Sequence, residues 1–308
     1  MKIVIFGLGS IGQRHARILQ QYYRHELFVF RRRSSKKNSL GIKEIYTWDE
    51  VSALKADIAL ITNPTFLHLS TATACAKLGM HLFIEKPLSH ELKGLKELEA
   101  VCKKNKVSTY VAYCLRFHPV IIELRRLLQN KKIQHVRVTC SSFLPSWRQG
   151  TDSKNSYSAV AAQGGGVLLD LSHEIDYLGY LLGDLKVVAS QYGKASKVTV
   201  DAEDFADVIF SSSNAASVNL HLNFLSRFNE RRIIVDHDAG CIVADLLANT
   251  VEVISGNTKK LKKFKVTRDE YFKGQMDYFL KNIGRPMMND LTASKATLAT
   301  IMEIKRRG

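Results

Sequence analysis

The sequence predicts an α/β protein in two parts: an N-terminal, doubly wound parallel sheet, and a C-terminal α/β part whose mostly antiparallel sheet is open on one face. In the N-terminal part, short apolar runs alternate with helical patterns, and a glycine-rich turn joins the first run to the first helix. Further along, short strand patterns follow one another with few helices between them. Because 308 residues exceed the usual size of one domain, we place one domain at residues 1–115 and a second at residues 116–308.

The N-terminal part contains five apolar runs short enough to be buried strands. They lie at residues 3–6, 27–30, 57–62, 81–84 and 108–112. Residues 11–22 and 65–78 have the spacing of amphipathic helices, and the second pattern ends at Gly79, a residue suited to a helix C-terminus. This alternation is typical of a parallel sheet with crossover helices.

The C-terminal part begins with a helix pattern at residues 119–129, a strand at 133–143 and a long helix at 166–182. Further strands follow at residues 186–192, 206–211, 216–224, 231–236, 241–245 and 250–254, and helices at 269–282 and 293–306. Val218, Leu220 and Leu222 alternate with Asn219, His221 and Asn223. Strict alternation predicts an antiparallel sheet with one face against the core and one face open.

The glycine turn carries the first functional signal, because it lies directly between a strand and a helix. Its sequence is Gly7-Leu8-Gly9-Ser10-Ile11-Gly12. Gly7 suits a tight turn, Gly9 lets the backbone approach a pyrophosphate, and Gly12 lets the helix pack against the strand. N–H groups at the helix start, near Ser10 and Ile11, then face the phosphates. A glycine loop without a ligand is the alternative, but this context favours a dinucleotide.

The end of the second strand indicates which dinucleotide binds. Residues at this position meet the adenosine ribose, and here they are Arg31, Arg32 and Arg33. Guanidinium groups bind a 2′-phosphate, whereas a carboxylate would bind the 2′-hydroxyl and repel the phosphate. The sequence therefore favours NADP(H) over NAD(H), with a solvated basic loop as the alternative.

Composition excludes several classes of protein. The formal net charge is +16, but lysines and arginines are scattered and no nucleic-acid-binding motif accompanies them, so we expect a solvated basic surface and no nucleic-acid partner. The five cysteines lack CxxC spacing, which predicts neither a metal site nor disulfides. No apolar segment approaches the roughly 18 residues of a membrane helix. We expect a cytoplasmic protein without a membrane association.

Two segments offer acid/base groups. Glu85-Lys86-Pro87 ends the fourth strand, the edge where ligands of parallel sheets bind, and Lys86 is the first candidate for proton transfer. The alternative is an ordinary surface turn.

The second segment runs from Gly164 to Tyr177. On one continuous helix, Asp170, His173 and Tyr177 would share a face outside the core, with Asp170 orienting the imidazole of His173. Without a second histidine at a matching spacing, this pattern does not favour zinc. The alternative is an ion pair on the helix surface without a function.

Together these motifs resemble the Gfo/Idh/MocA oxidoreductases. The matching segments are the glycine turn, Thr62-Asn63-Pro64-Thr65 with His68, Glu85-Lys86-Pro87, Tyr113 with Arg116-Phe117-His118-Pro119, and Gly164-Gly165-Gly166 leading to Asp170 and His173. The resemblance implies a Rossmann domain, a second domain whose open sheet often mediates oligomers, and NAD(P)-dependent oxidation or reduction of a sugar, inositol or nucleotide-sugar hydroxyl.

Carried over by position, the resemblance makes Lys86, Asp170 and His173 the catalytic residues. It also implies cofactor or substrate contacts for Asn63, Pro64, His68, Glu85, Lys86 and Arg116. The family usually separates its aspartate and histidine by four positions, whereas Asp170 and His173 are three apart. A homodimer or homotetramer through the C-terminal sheet is expected.

A loop before the second segment supplies candidate substrate contacts, namely Trp147, Arg148 and Tyr157, beside Lys86, Asp170 and His173. A sugar ring can stack on Trp147, and an anionic group can pair with Arg148; Trp147 as simple packing is equally compatible. We therefore predict an NADP(H)-dependent dehydrogenase for a sugar, inositol or nucleotide sugar, of the kind used in surface polysaccharides. A dinucleotide-binding regulator or scaffold without turnover is the alternative, although it would not need these proton donors.

Overall fold

The computed structural model describes residues 1–31, 38–147 and 157–308, with residue 157 described by its backbone alone. The strands are β1 (Lys2–Phe6), β2 (Glu26–Phe30), β3 (Lys43–Ile45), β4 (Ile58–Ile61), β5 (His81–Ile84), β6 (Thr109–Val111), β7 (Ile133–Ser141), β8 (Leu185–Gly193), β9 (Phe205–Ser212), β10 (Ala215–Asn223), β11 (Glu230–His237), β12 (Gly240–Asp245), β13 (Thr250–Ser255) and β14 (Thr258–Lys263). The α-helices are α1 (Ser10–Tyr22), α2 (Trp48–Leu54), α3 (His68–Lys77), α4 (Leu95–Lys104), α5 (Pro119–Leu128), α6 (Val167–Asp170), α7 (His173–Leu182), α8 (Arg268–Lys281) and α9 (Leu291–Arg307). Within these residues, no helix combines the length and the apolar character needed to cross a bilayer.

The chain forms two compact units. Unit 1 contains Met1–Tyr113 and Arg268–Lys295, and unit 2 contains Cys114–Thr267 and Ala296–Gly308. The prediction of domains at residues 1–115 and 116–308 differs from these units mainly in residues 268–295, which pack with the first part of the chain.

Unit 1 is built on a six-stranded parallel sheet in the order β3-β2-β1-β4-β5-β6. This is the strand order of a Rossmann fold. The chain adds β2 and β3 on one side of β1 and then β4, β5 and β6 on the other, so the order of strands reverses at the boundary between β1 and β4. The four residues from Ile3 to Phe6 are buried, as expected for a central strand. The predicted doubly wound parallel sheet is confirmed.

Helix α8 explains why residues 268–295 belong to unit 1. The ring of Phe272 lies 5.3 Å from that of His15 in α1, and Phe279 lies 5.4 Å from Phe83 in β5. Downstream of α8, the carbonyl of Asn289 accepts a hydrogen bond of 2.7 Å from the Val111 N–H in β6. The helix therefore buries apolar side chains against the first sheet.

Unit 2 is built on an eight-stranded sheet in the order β14-β13-β12-β11-β7-β10-β9-β8. Only β7 and β10 pair in parallel among these strands, and every other described neighbour pair is antiparallel. In β10, Val218 and Leu220 are buried while Asn219 between them is exposed. The predicted open-faced, mostly antiparallel sheet is confirmed.

The single helix predicted for residues 166–182 is wrong, because α6 ends at Asp170 and α7 begins at His173. At the break, the Ser172 and Glu174 N–H groups donate to carbonyls three residues back, a tighter pattern than the α-helical one. Asp170 and Tyr177 are buried, so the expectation of a polar face outside the core is also wrong. Residues 65–67 likewise form a 3₁₀ turn before α3 begins.

Candidate functional site

The glycine turn between β1 and α1 is packed as closely as the sequence predicts. Gly7 has a φ of +99°, a conformation that side chains disfavour. A Cβ on Gly12 would lie 2.3 Å from the Gly7 carbonyl oxygen. The Thr62 hydroxyl donates a hydrogen bond of 2.7 Å to the same oxygen, which joins the end of β4 to the turn. Gly7 and Gly12 are therefore required by packing alone.

Gly9 is different, because no described atom lies within 4 Å of the position of its Cβ. It is the N-cap of α1, and no side chain among the described residues caps this helix. The first N–H groups of α1, at Ser10, Ile11 and Gly12, have no acceptor within a helix and carry its positive dipole end. Nearby, Asn63 donates its amide to Thr71 at 2.9 Å, while its buried Oδ1 has no partner among the described residues. Open space over Gly9 and unused polar groups fit a pyrophosphate and its neighbouring ribose.

This difference yields a prediction for Gly9→Ala. We expect an unchanged melting temperature, because the methyl group meets open space, and at least about tenfold weaker dinucleotide binding, because it blocks close approach of a phosphate. Calorimetric titration and thermal melting measure the two effects. Gly179→Ala is the matched control, since its Cβ also meets no described atom; equal affinities of the two variants would contradict the assignment.

The predicted 2′-phosphate site is described only in part. Arg31 lies at the end of β2, and its Nη1 is 3.4 Å from Oε1 of Glu44. Hydrogen bonds from Asn38 and Tyr46, with Arg31 nearby, lower the pKa of Glu44. Arg31 therefore already faces a carboxylate. Arg32 and Arg33 lie outside the described residues.

Lys86 follows β5 in a turn that two buried histidines contact. Its backbone N–H donates to Glu85 Oε2 at 3.2 Å, and the Lys86–Pro87 bond is cis. His15, fully buried in α1, lies 2.7 Å from the other oxygen of Glu85. His68 contacts the carbonyl oxygens of Pro87 and Asn63, both at 2.9 Å. Sequence reasoning missed His15, although its position three residues after Gly12 on the buried side of α1 was a usable signal.

Pro64 and His68 were predicted to bind cofactor. The structure places exposed Pro64 before the 3₁₀ turn at the end of β4 and buries His68 between two backbone carbonyls. Burial lowers the pKa of His68. A role for either residue, or for Asn63 and Glu85, in cofactor binding stays a prediction.

The segment with Asp170 and His173 begins at Gly166, which packs against the buried residue Glu203. Gly166 has a φ of +104°, and a Cβ there would lie 2.4 Å from the carboxyl group of Glu203. That carboxyl group pairs with Lys305 at 3.0 Å, and the Glu203 carbonyl accepts from the Val167 N–H. Glu203 therefore fixes the start of α6. Asp170 at its end is buried, and His173 at the start of α7 is half-buried.

Two ion pairs hold α7 after His173. Glu174 accepts bonds of 2.6 and 3.0 Å from Arg231, and Asp176 accepts bonds of 2.9 and 2.7 Å from Arg116. Burial raises the pKa of Asp176, and the neighbouring Arg116 opposes that shift. Arg116 also lies over the ring of Tyr180 at 4.7 Å. Its guanidinium group thus supports the helix; the predicted contact of Arg116 with cofactor stays a prediction.

The predicted substrate contacts are only partly visible. Trp147 remains 42% exposed, packs edge-on against Phe224 at 5.2 Å and donates its indole N–H to Ser142 at 3.0 Å. Packing and partial exposure of Trp147 therefore coexist. Arg148 and the side chain of Tyr157 lie outside the described residues. In the part of the chain that is described, no group of three or more histidine, cysteine or acidic side chains could hold a metal ion.

Comparison with known proteins extends these observations. Myo-inositol 2-dehydrogenase of Thermotoga maritima is 26% identical over 309 residues, which cover 92% of this chain and 88% of that protein. The structure of UDP-N-acetylglucosamine 3-dehydrogenase from Acidithiobacillus ferrooxidans matches with a TM-score of 0.83 and 20% identity, over 100% of this chain and 97% of that one. Levoglucosan dehydrogenase in complex with NADH gives a TM-score of 0.86 at 16% identity, over 100% and 96%. The two structural matches show a shared fold.

Two family models match successive parts of the sequence. The first, an oxidoreductase family with an NAD-binding Rossmann fold, matches residues 1–113. The second, the GFO/IDH/MocA C-terminal domain, matches residues 121–243. The resemblance read from the motifs is therefore confirmed, and the chain belongs to the Gfo/Idh/MocA family of oxidoreductases.

Proposed function

We propose that this protein is an NADP(H)-dependent dehydrogenase that moves a hydride to or from a secondary carbinol or ketone carbon of a sugar, an inositol or a nucleotide sugar. The observation that carries the proposal is the open approach over Gly9, beside a Rossmann sheet, to a helix start that no described side chain caps. The names of relatives, an inositol dehydrogenase and a nucleotide-sugar dehydrogenase, support the substrate class.

The proposed chemistry divides between the ligand and the chain. A bound nicotinamide supplies hydride acceptance or donation. The first N–H groups of α1 hold the pyrophosphate, and the amine of Lys86 or the imidazole of His173 takes or returns the hydroxyl proton. Asp170 orients the imidazole of His173, and the partly exposed Trp147 offers a ring face to the sugar.

The function is tested by following the near-ultraviolet absorbance that reduced nicotinamide has and oxidised nicotinamide lacks. The substrates are inositols, hexoses and UDP-sugars, and both oxidation and reduction are assayed. Turnover with one substrate class supports the proposal. Dinucleotide binding without turnover on the whole panel would instead support the regulator or scaffold alternative. Strong retention on nucleic acid that weakens steeply with salt would favour a different use of the basic surface.

The choice of NADP(H) gives a second prediction. We expect Arg31→Ala to weaken NADPH binding by about tenfold and NADH binding much less, because the proposed partner of the guanidinium group is the 2′-phosphate, which NADH lacks. Titration calorimetry with both coenzymes measures the change. Arg24→Ala, an exposed arginine just before β2, is the control. Equal losses for the two coenzymes, or tighter NADH binding by the wild type, would reject the NADP(H) preference.

The open face of the second sheet supports a proposal about assembly. Its outward side chains include Arg137 and Asn219, together with the exposed apolar Val188 and Ile209. We place the homodimer or homotetramer contact on this face, in a cytoplasmic enzyme whose product feeds the synthesis of surface polysaccharides. Light scattering of the wild type against Ile209→Asp distinguishes an oligomer held by this face from a monomer.

A further inference from the structure

We propose that His15 and His68 are positioning residues that fix Lys86 by holding the residue on each side of it. Only the kinetic test of this inference rests on the proposed function. Neither histidine needs to touch substrate. His15 acts on the side chain of Glu85, and His68 acts on the backbone of Pro87.

The contact of His15 reaches the backbone of Lys86 itself. A carboxylate only accepts hydrogen bonds, so His15 Nε2 donates to Glu85 Oε1 across 2.7 Å. The second oxygen of Glu85 accepts the Lys86 N–H at 3.2 Å. The carboxyl group thus joins helix α1 to the lysine, and its Oε1 cannot turn away without losing a buried partner. Phe83 and Phe272 pack against the imidazole and keep it in place.

The contacts of His68 reach the other side of the lysine. Its Nδ1 lies 2.9 Å from the Pro87 carbonyl, and its Nε2 lies 2.9 Å from the Asn63 carbonyl. Both partners are carbonyl oxygens, which only accept, and a neutral imidazole donates one hydrogen bond whereas an imidazolium donates two. With the hydrogen of the neutral ring on Nδ1, His68 holds the Pro87 carbonyl after β5 and lies against the Asn63 carbonyl in the turn after β4, where Thr62 contacts the glycine turn. In this way the two histidines connect Lys86 to the dinucleotide-binding edge of the sheet.

The two nitrogens of an imidazole can be separated by substitution. The amide nitrogen of asparagine stands near the place of Nδ1, and that of glutamine stands near the place of Nε2. His68→Asn therefore keeps a donor for Pro87, whereas His68→Gln removes it and places its own donor near Asn63 instead. His15→Gln keeps the donor to Glu85, and His15→Leu removes it.

The first measurement is hydrogen exchange in peptides spanning residues 82–90, which needs no turnover. We expect His15→Leu and His68→Gln to speed exchange at Lys86 by about tenfold, and His15→Gln and His68→Asn to stay close to the wild type. His81→Leu is the control: it removes a bond to the Ser108 N–H at the opposite end of β5 and should leave residues 85–90 unchanged.

The second measurement is kinetic. In the variants that lose a Lys86 contact, kcat should fall by about 10- to 100-fold while the dinucleotide Kd changes little, because misplacing a reacting group affects the chemical step. Rescue by His15→Gln and His68→Asn is expected. Equal exchange and equal kcat in His68→Asn and His68→Gln would overturn the proposal, even if His15→Leu fails to fold. Absence of turnover in the wild type would overturn the proposed function and leave the exchange result to decide the positioning role.

Discussion

Lys86→Ala and His173→Ala are each expected to lower kcat by about 10²- to 10⁴-fold, the usual contribution of a positioned general acid or base. The dinucleotide Kd should stay within about threefold of the wild type, because the pyrophosphate contacts come from the glycine turn and the start of α1. Stopped-flow or steady-state absorbance with the best substrate, together with titration calorimetry, gives the two values.

Lys93→Ala and His25→Ala are the matched controls, since they remove the same groups at positions outside the proposed site. Both should retain wild-type kcat. If Lys86→Ala and His173→Ala behave like these controls, the acid/base assignment is wrong. If only one of them loses activity, that residue is the principal acid/base group and the other has an accessory role.

Arg231→Met is expected to lower the free energy of unfolding by about 3–5 kcal/mol, the cost of leaving a buried charge without its partner. Glu174, which Arg231 contacts through two nitrogens, has a fully buried side chain. Urea denaturation followed by circular dichroism measures the effect.

Lys77→Met is the control for a broken ion pair at the surface. Lys77 and Glu97 are 3.0 Å apart, with side chains 59% and 60% exposed, so their pairing contributes little. Adding Glu174→Leu to Arg231→Met should restore much of the stability, because an apolar pair carries no desolvation cost. A loss in Arg231→Met no greater than in Lys77→Met would show that the buried pair does not support α7.

The sequence predicts unit 1 well where patterns are local. The strands of a parallel sheet are continuous apolar runs, and the glycine turn has a fixed position between β1 and α1, so both are visible without tertiary information. Strand β3 has only three residues and two of them are charged, so no apolar run in the sequence marks it as a strand. Strand β14 also lacks an apolar pattern that would predict it. All six of its residues are exposed, and its lysines suit an unpaired sheet edge.

The candidate site is less predictable because its parts depend on distant contacts. Nothing local marks Glu203 as the anchor of Gly166, since the two are 37 positions apart and meet only in the fold. The break between Asp170 and His173 lies in a run that reads as one helix, and packing overrides that local pattern. The tie from His15 to Glu85 likewise joins residues 70 positions apart.

The place of α8 has a consequence for biosynthesis. Phe272 and Phe279 cover His15, Phe83 and Tyr110, so the apolar surface of the first sheet is complete only after translation has passed Phe279. Until then the nascent chain exposes this surface while the later strands emerge from the ribosome. Exposed apolar surface of this kind is what chaperones bind, so synthesis in the cell calls for protection of the N-terminal segment until α8 arrives.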